Sequence, residues 1–256
     1  MGCYPLFSCN DWTGLAADLE LRRSEWVSVA LVTDPFGNFD EALLQRTFDR
    51  VVPFKEHFVA DLSLSMDQLV SKHHQKHARR GLRNVQVDVV DQPLDGLDEW
   101  MVLYDVLCER HGISGIRAFS RDSFLAQLQL DGVSVLRARS EGQTVGMQIW
   151  LQQGDVVFTH LAAYNELGYK VDASYALHLT ATEYFQKHAK WLGLGAGAGS
   201  GASSQGLSEY KHGWSTGTRQ AYFCGKVLQP ERYDSLIAAV SSEPSTYFPA
   251  YRAGEF

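Results

Sequence analysis

The sequence predicts an α/β (α+β) fold in which helices flank a mixed sheet. Three observations carry this expectation. Residues 133–164 read as a three-strand meander, a long amphipathic helix follows over 173–190, and an alternating strand closes the region at 219–228. In the meander, VSVLRAR, TVGMQIWLQ and VVFTHLAAY are strand-like runs, with Gly142 and the Gly154-Asp155 pair at the turns.

The earlier elements follow from spacing. WVSVALV at 26–32 reads as a buried strand, and Leu43, Leu44 and Phe48 give 40–50 a helical face. HFVADLSL at 57–64 alternates in part and reads as a strand. Ser65 and Gln68 form a capping-box pattern, so a helix is expected to start at Ser65, cross the basic block and stop near Gly81. Val85, Val87 and Val89 alternate as a strand. Leu97–His111 has helical apolar spacing, and Gly112 suits its C-cap. SRDSFLAQLQL at 120–130 forms another short helix. The stretch LGLGAGAGSGASSQG at 192–206 is glycine-rich, with no helix-forming segment expected directly after LGAGAG.

Composition narrows the functional classes. The chain has 256 residues, 45% of them hydrophobic, enough for a full core. No run of 18 apolar residues exists, so no membrane span is expected. The N-terminal residues MGCYPLFSCNDWTG lack the pattern of a secretory signal. Four cysteines without a CxxC pair argue against structural zinc and a disulfide framework, and a cytoplasmic location is expected. The net charge of −7 opposes general affinity for nucleic acid. KHHQKHARRGLR at 72–83 runs against that balance, with five Lys or Arg and no acid.

Three passages carry a family resemblance: HFVADLSL with QLVSKHHQKHARRGLRNVQV, the 133–164 meander with its helix, and GLGAGAGSGASSQGLSEYKHGW. Together they resemble the GNAT acyltransferases, and among them the Fem-type, FemAB-like branch, over roughly residues 55–228. The resemblance implies a GNAT-like, mostly antiparallel central sheet flanked by helices. It implies a reduced first lobe over 1–90 that holds the basic helix, an acyltransferase lobe over 91–228, and a tail at 229–256 that packs back on the first lobe. The implied reaction is N-acyl transfer from acyl-CoA or aminoacyl-tRNA to a small-molecule or peptide amine by direct attack, with tRNA as a partner in the second case. No permanently bound cofactor is implied.

Site residues follow from the same comparison. The donor is expected at the start of the helix near Ala173, beside Ser174 and Tyr175. The preceding loop, NELGYKVD, keeps only Gly168 and Lys170 of the usual pyrophosphate pattern, a departure that weighs against acetyl-CoA. Lys211 follows Tyr210 after the glycine-rich strand, where the resemblance implies a contact to a donor phosphate or to the oxyanion. Gly195 and Gly197 would let backbone approach the donor. His160 and Tyr164, four apart on one strand, are expected to share a face, with His160 as proton acceptor and Tyr175 as proton donor to the leaving group.

The basic block has two readings. Lys76, Arg79, Arg80 and Arg83 either bind an anionic group or form a solvated helix face. A non-catalytic module that recognises an anionic ligand or RNA through this helix is the alternative function. His73 and His77 share a helix face, but Gln75 and Lys76 stand where a zinc helix would carry its glutamate, so no metal is expected.

Overall fold

The computed structural model describes residues 6–115, 118–197, 202–240 and 246–254, with the backbone alone over 202–205. Two compact units are present: Met1–His57 together with Arg219–Phe256, and Phe58–Thr218.

The first unit begins with β1 (Leu6–Phe7), α1 (Leu15–Leu21), β2 (Ser28–Thr33) and α2 (Glu41–Thr47). Asp40 caps α2, its Oδ1 accepting the Leu43 N–H at 2.7 Å. β3 (Arg50–Asp61) carries the chain into the second unit. There follow α3 (Met66–Leu69), α4 (Lys72–Gly81), β4 (Gln86–Val89), α5 (Leu97–His111) and α6 (Arg121–Leu128). Next come β5 (Val133–Ser140), β6 (Gln143–Gln153), β7 (Val156–Tyr164), α7 (Glu166–Lys170), α8 (Ala173–Phe185), β8 (Trp191–Ala196) and α9 (Ala202–His212). β9 (Gly217–Val227) and α10 (Pro230–Val240) return to the first unit.

In the first unit β2 pairs parallel with β1 and antiparallel with β9. Trp12, Leu15, Leu44, Phe48 and Cys224 form its core. The tail lies here too: the Tyr251 hydroxyl is 2.9 Å from Ser28 Oγ, and Phe248 occupies the space a side chain at Gly225 would need.

In the second unit the strand order is β3-β8-β7-β6-β5-β4. The pairs from β7 to β4 are antiparallel, and β7 with β8 is parallel. Strand alternation sorts its core into two layers. Leu136, Ala138, Trp150 and Val157 pack with α4 and α8, whereas Val135, Met147, Ile149 and Ala163 pack with α5 and α6. α5 ends as its sequence predicts, with Gly112 left-handed at φ 60°.

Four expectations are corrected. The basic helix does not start at Ser65: Val70 is extended (φ −118°, ψ 127°), so the capping box closes α3 alone and Ser71 caps α4. The cause is tertiary, because the Ser71 N–H bonds the Gly213 carbonyl at 2.9 Å and turns the chain. α8 stops at Phe185 rather than 190, and Gln186 after it donates to the Leu64 carbonyl at 2.9 Å. ASSQG begins a helix, α9, whereas residues 198–201 of the glycine-rich run lie outside the described residues. Finally, α4 and β4 fall with the second unit, because α4 packs on α8 and β4 pairs with β5.

Candidate functional site

α8 is buried on most sides: Ala173, Ala176, Leu177, His178, Ala181 and Thr182 are all enclosed. α4 packs tightly against its start, because a Cβ at Gly81 would lie only 2.5 Å from the Asp172 carbonyl oxygen. Asp172 caps α8 in the left-handed region (φ 59°). One of its carboxylate oxygens meets Arg80 Nε, and the other lies 3.2 Å from His77 Nδ1. Burial acts to raise the Asp172 pKa, and hydrogen bonds from Arg80 and His77 outweigh it, so the carboxyl stays below its usual range. The first turn of α8 is therefore faced by a carboxylate and a packed helix, a poor setting for a phosphate.

The inward face of α4 carries His74, Ala78 and Gly81, at helical spacing. His74 Nε2 lies 2.9 Å from the Tyr210 carbonyl oxygen, and Nδ1 lies 2.9 Å from Ser71 Oγ. A carbonyl only accepts, so Nε2 carries the hydrogen, and Nδ1 of the neutral ring accepts from the Ser71 hydroxyl. Burial depresses the His74 pKa and favours that neutral ring. Gly213 is required beside it, since any Cβ there would overlap the imidazole. A pocket of about 310 Å³ opens at this point, lined by Ser71, His73, His74, Tyr175, Glu209 and His212 among others.

Behind the pocket lies His178, only 4% exposed. Its ring packs 4.5 Å from Trp214 and 5.4 Å from Trp150. Burial, with smaller contributions from His74 and Lys211, pushes its pKa down to about 3. Its Nε2 is buried and has no hydrogen-bond partner among the described residues. The Trp214 Nε1 faces the Tyr210 hydroxyl without closing a hydrogen bond of ordinary geometry. That hydroxyl donates to the Ser174 carbonyl at 3.0 Å.

Lys211 completes the group. Its Nζ donates to the Ala196 carbonyl at 2.6 Å, at the C-terminal end of β8. Gly195 beside it has φ 74°, and a Cβ there would stand 3.3 Å from Nζ. Here the sheet opens. β7 and β8 pair only over Val156–Phe158 and Trp191–Gly193 among the described residues, although both strands continue. The ladder ends where β7 bulges: Ile149 pairs with Leu161 and Trp150 with Thr159, leaving His160 unopposed. On the α8 side of the opening, Trp150 Nε1 donates to Gln148 Oε1 at 3.2 Å, and Gln148 Nε2 donates to the Tyr164 hydroxyl at 2.8 Å. An ammonium and buried hydroxyls beside a parted ladder can polarise a carbonyl away from bulk water.

A family model for the acetyltransferase (GNAT) domain matches residues 70–212, more than half of the chain. The chain belongs to the GNAT acetyltransferase domain family. It is an enzyme of the acyl-transfer type, with a GNAT-like, Fem-type fold. FemX is similar at TM-score 0.66 and 11% identity, over 88% of this chain and 80% of FemX. A C-terminal DUF2156 domain assigned to a lysylphosphatidylglycerol synthetase of Agrobacterium fabrum is similar at TM-score 0.64 and 16% identity, over 86% of this chain and 75% of that one. L-PGS of Bacillus licheniformis is similar at TM-score 0.56 and 17% identity, over 73% of this chain and 64% of that one. No curated protein matches the chain.

In this GNAT chain Lys211, Tyr210, Tyr175, Ser174, Tyr164 and Gly195 gather around α8 and the end of β8. Gly197 lies just beyond, where a Cβ would come 2.5 Å from Ser208 Oγ. His160 is not brought to them. The bulge reverses strand parity, so Tyr164 faces α8 while His160 faces α6, with Nε2 2.7 Å from Gln127 Oε1. Gly168 is buried against the Val145 carbonyl, where a side chain has no room. Lys170 is 74% exposed and lies 3.8 Å from Glu166. Arg80 is held by Asp172, whereas Lys76, Arg79 and Arg83 are exposed on α4 and the turn after it. Among the described residues no cluster of His, Cys, Asp or Glu could hold a metal, and no helix is long and apolar enough to cross a membrane.

Sequence reasoning missed His74, Asp172, His178 and Trp214. His74 had a signal, the His74-Ala78-Gly81 spacing that marks the packed face of α4. His178 had none, because α8 is apolar nearly all round and only packing assigns its neighbours.

Proposed function

We propose that this enzyme transfers an aminoacyl group from an activated ester to an amine, in the cytoplasm. The observation that carries the reading is Lys211 Nζ fixed at the parted end of β7 and β8. The amine nitrogen attacks the ester carbonyl carbon, the C–O bond to the carrier breaks, and the amine proton leaves as the released alcohol gains one. Lys211 stabilises the oxyanion. Tyr175 lines the adjoining pocket, from which its hydroxyl donates a proton to the leaving oxygen.

Two observations favour an aminoacyl ester over acetyl-CoA. The first turn of α8 faces Asp172 and α4, which disfavours a pyrophosphate there. The second is the fold likeness to a protein named for lysyl transfer to a lipid, which supports aminoacyl chemistry. Lys76, Arg79 and Arg83 are the exposed cations that would meet a carrier's phosphates.

The test offers the protein acetyl-CoA, longer acyl-CoAs and aminoacylated tRNA, each with a mixture of primary amines, and follows amide products by mass spectrometry. Amide from aminoacyl-tRNA is the expected result. Amide from acyl-CoA alone would contradict the donor assignment, and no amide from any donor would contradict the whole reading.

A further inference from the structure

Ser71, His74 and the Tyr210 carbonyl form a connected line that direct attack at Lys211 does not use. Ser71 Oγ lies 2.9 Å from His74 Nδ1, and His74 Nε2 lies 2.9 Å from the Tyr210 carbonyl oxygen. Ser71, which is exposed, and His74, which is buried, both line the 310 Å³ pocket. A hydroxyl thus faces the open space, a base touches it, and a fixed carbonyl orients the base. That is the relation a nucleophile needs to its base and to the group orienting the base. Gly213 keeps the imidazole in place by leaving room for it.

Ser71 also caps α4, since its Oγ accepts the His74 N–H at 3.3 Å. A cap needs no hydrogen bond to the imidazole. The backbone N–H groups of Lys72 and His73, next in the same turn, have no acceptor among the described residues.

We propose that Ser71 is a catalytic nucleophile that accepts a short acyl group from an activated ester, with His74 as its general base. Ser71 Oγ bonds to the carbonyl carbon while its proton moves to His74 Nδ1. The Tyr210 carbonyl holds the resulting imidazolium through Nε2–H. The C–O bond to the leaving group then breaks, and the Nδ1 proton passes to the departing oxygen. Water or an amine reverses these steps: it bonds to the carbon, loses a proton through His74, and releases Ser71 Oγ. This activity goes beyond the direct-attack reading.

The probe is p-nitrophenyl acetate, used with the full chain. After acid quenching, the wild type is expected to carry one acetyl group on the peptide containing Ser71. Ser71→Asn keeps a capping side chain but has no nucleophile, and its p-nitrophenol release is expected to fall by about 100-fold. His74→Gln should fall similarly. An unmodified Ser71 peptide in the wild type, or release by Ser71→Asn at the wild-type rate, would overturn the proposal. The peptide mapping decides it even if both variants fold poorly. Acetylated Ser71 in a protein that forms no amide from any donor would leave this proposal standing and sink only the direct-transfer reading.

Discussion

Lys211 Nζ donates to the carbonyl oxygen of Ala196 across 2.6 Å, which ties α9 to the last residue of β8. The bond fixes a flexible side chain at one point, so little rotamer entropy remains to be lost when a substrate carbonyl arrives. Gly195, left-handed next to Ala196, keeps the space beside the ammonium free of a side chain. This pairing brings the late lysine and the glycine-rich strand together, and packing depends on a few close contacts around it.

Gly81→Ala is expected to destabilise the fold by about 1–3 kcal/mol, as overpacking does. The new Cβ would stand 2.5 Å from the Asp172 backbone carbonyl, which has no freedom to rotate away. Glycine to alanine in an open helix changes stability the other way, by up to about 1 kcal/mol. Urea unfolding gives the sign directly, and a stabilised variant would contradict the packing of α4 on α8.

Asp172→Asn tests the ion pair at the start of α8. The folded pKa is below 3.8, so the contribution of Asp172 is present above that value and is lost as pH falls through the folded one. At neutral pH the variant is expected to be less stable by about 1.5–3 kcal/mol, the range for hydrogen bonds to a charged group. The gap should close below pH 3.8, the ordinary value for this carboxyl. Thermal melts across that range check it, and a gap independent of pH would contradict the assignment.

His178 gives the opposite kind of test, because its buried Nε2 has no partner among the described residues. His178→Phe is expected to leave stability at neutral pH unchanged or raised, since it removes a buried nitrogen, Nε2, that has no partner among the described residues. Its folded pKa of about 3 lies below the usual 6.5, so the unfolded chain takes up a proton that the folded chain refuses. Stability in the wild type therefore falls as pH drops from 6.5 towards 3, by up to about 1.4 kcal/mol per pH unit from this residue. The variant should lose most of that slope and keep the smaller part due to His74, whose pKa is depressed in the same direction. An unchanged slope in acid denaturation would contradict the burial of a neutral His178.

Much of the second unit could be read from the sequence, because local rules governed it. The meander, Leu97–His111 with its Gly112 cap, and Ser120 as cap of α6 all follow from periodicity and capping. What escaped depends on distant contacts. The break at Val70 needs the Gly213 carbonyl, 142 positions on from Ser71. His160 and Tyr164 part because β7 bulges, and nothing in VVFTHLAAY announces the extra residue. The resemblance singled out Lys211 and Tyr175 as expectations, whereas the surroundings of His74 and His178 are set only where α4, α8 and α9 meet.

The most direct measurement is kcat/KM for Lys211→Ala with the donor and amine that the wild type uses, taken beside a thermal melt. Loss of an oxyanion contact predicts a fall of about 100- to 1,000-fold, with a melting temperature within a few degrees of the wild type. Wild-type kcat/KM in a folded Lys211→Ala protein would contradict the central claim that the lysine at the end of β8 carries the chemistry.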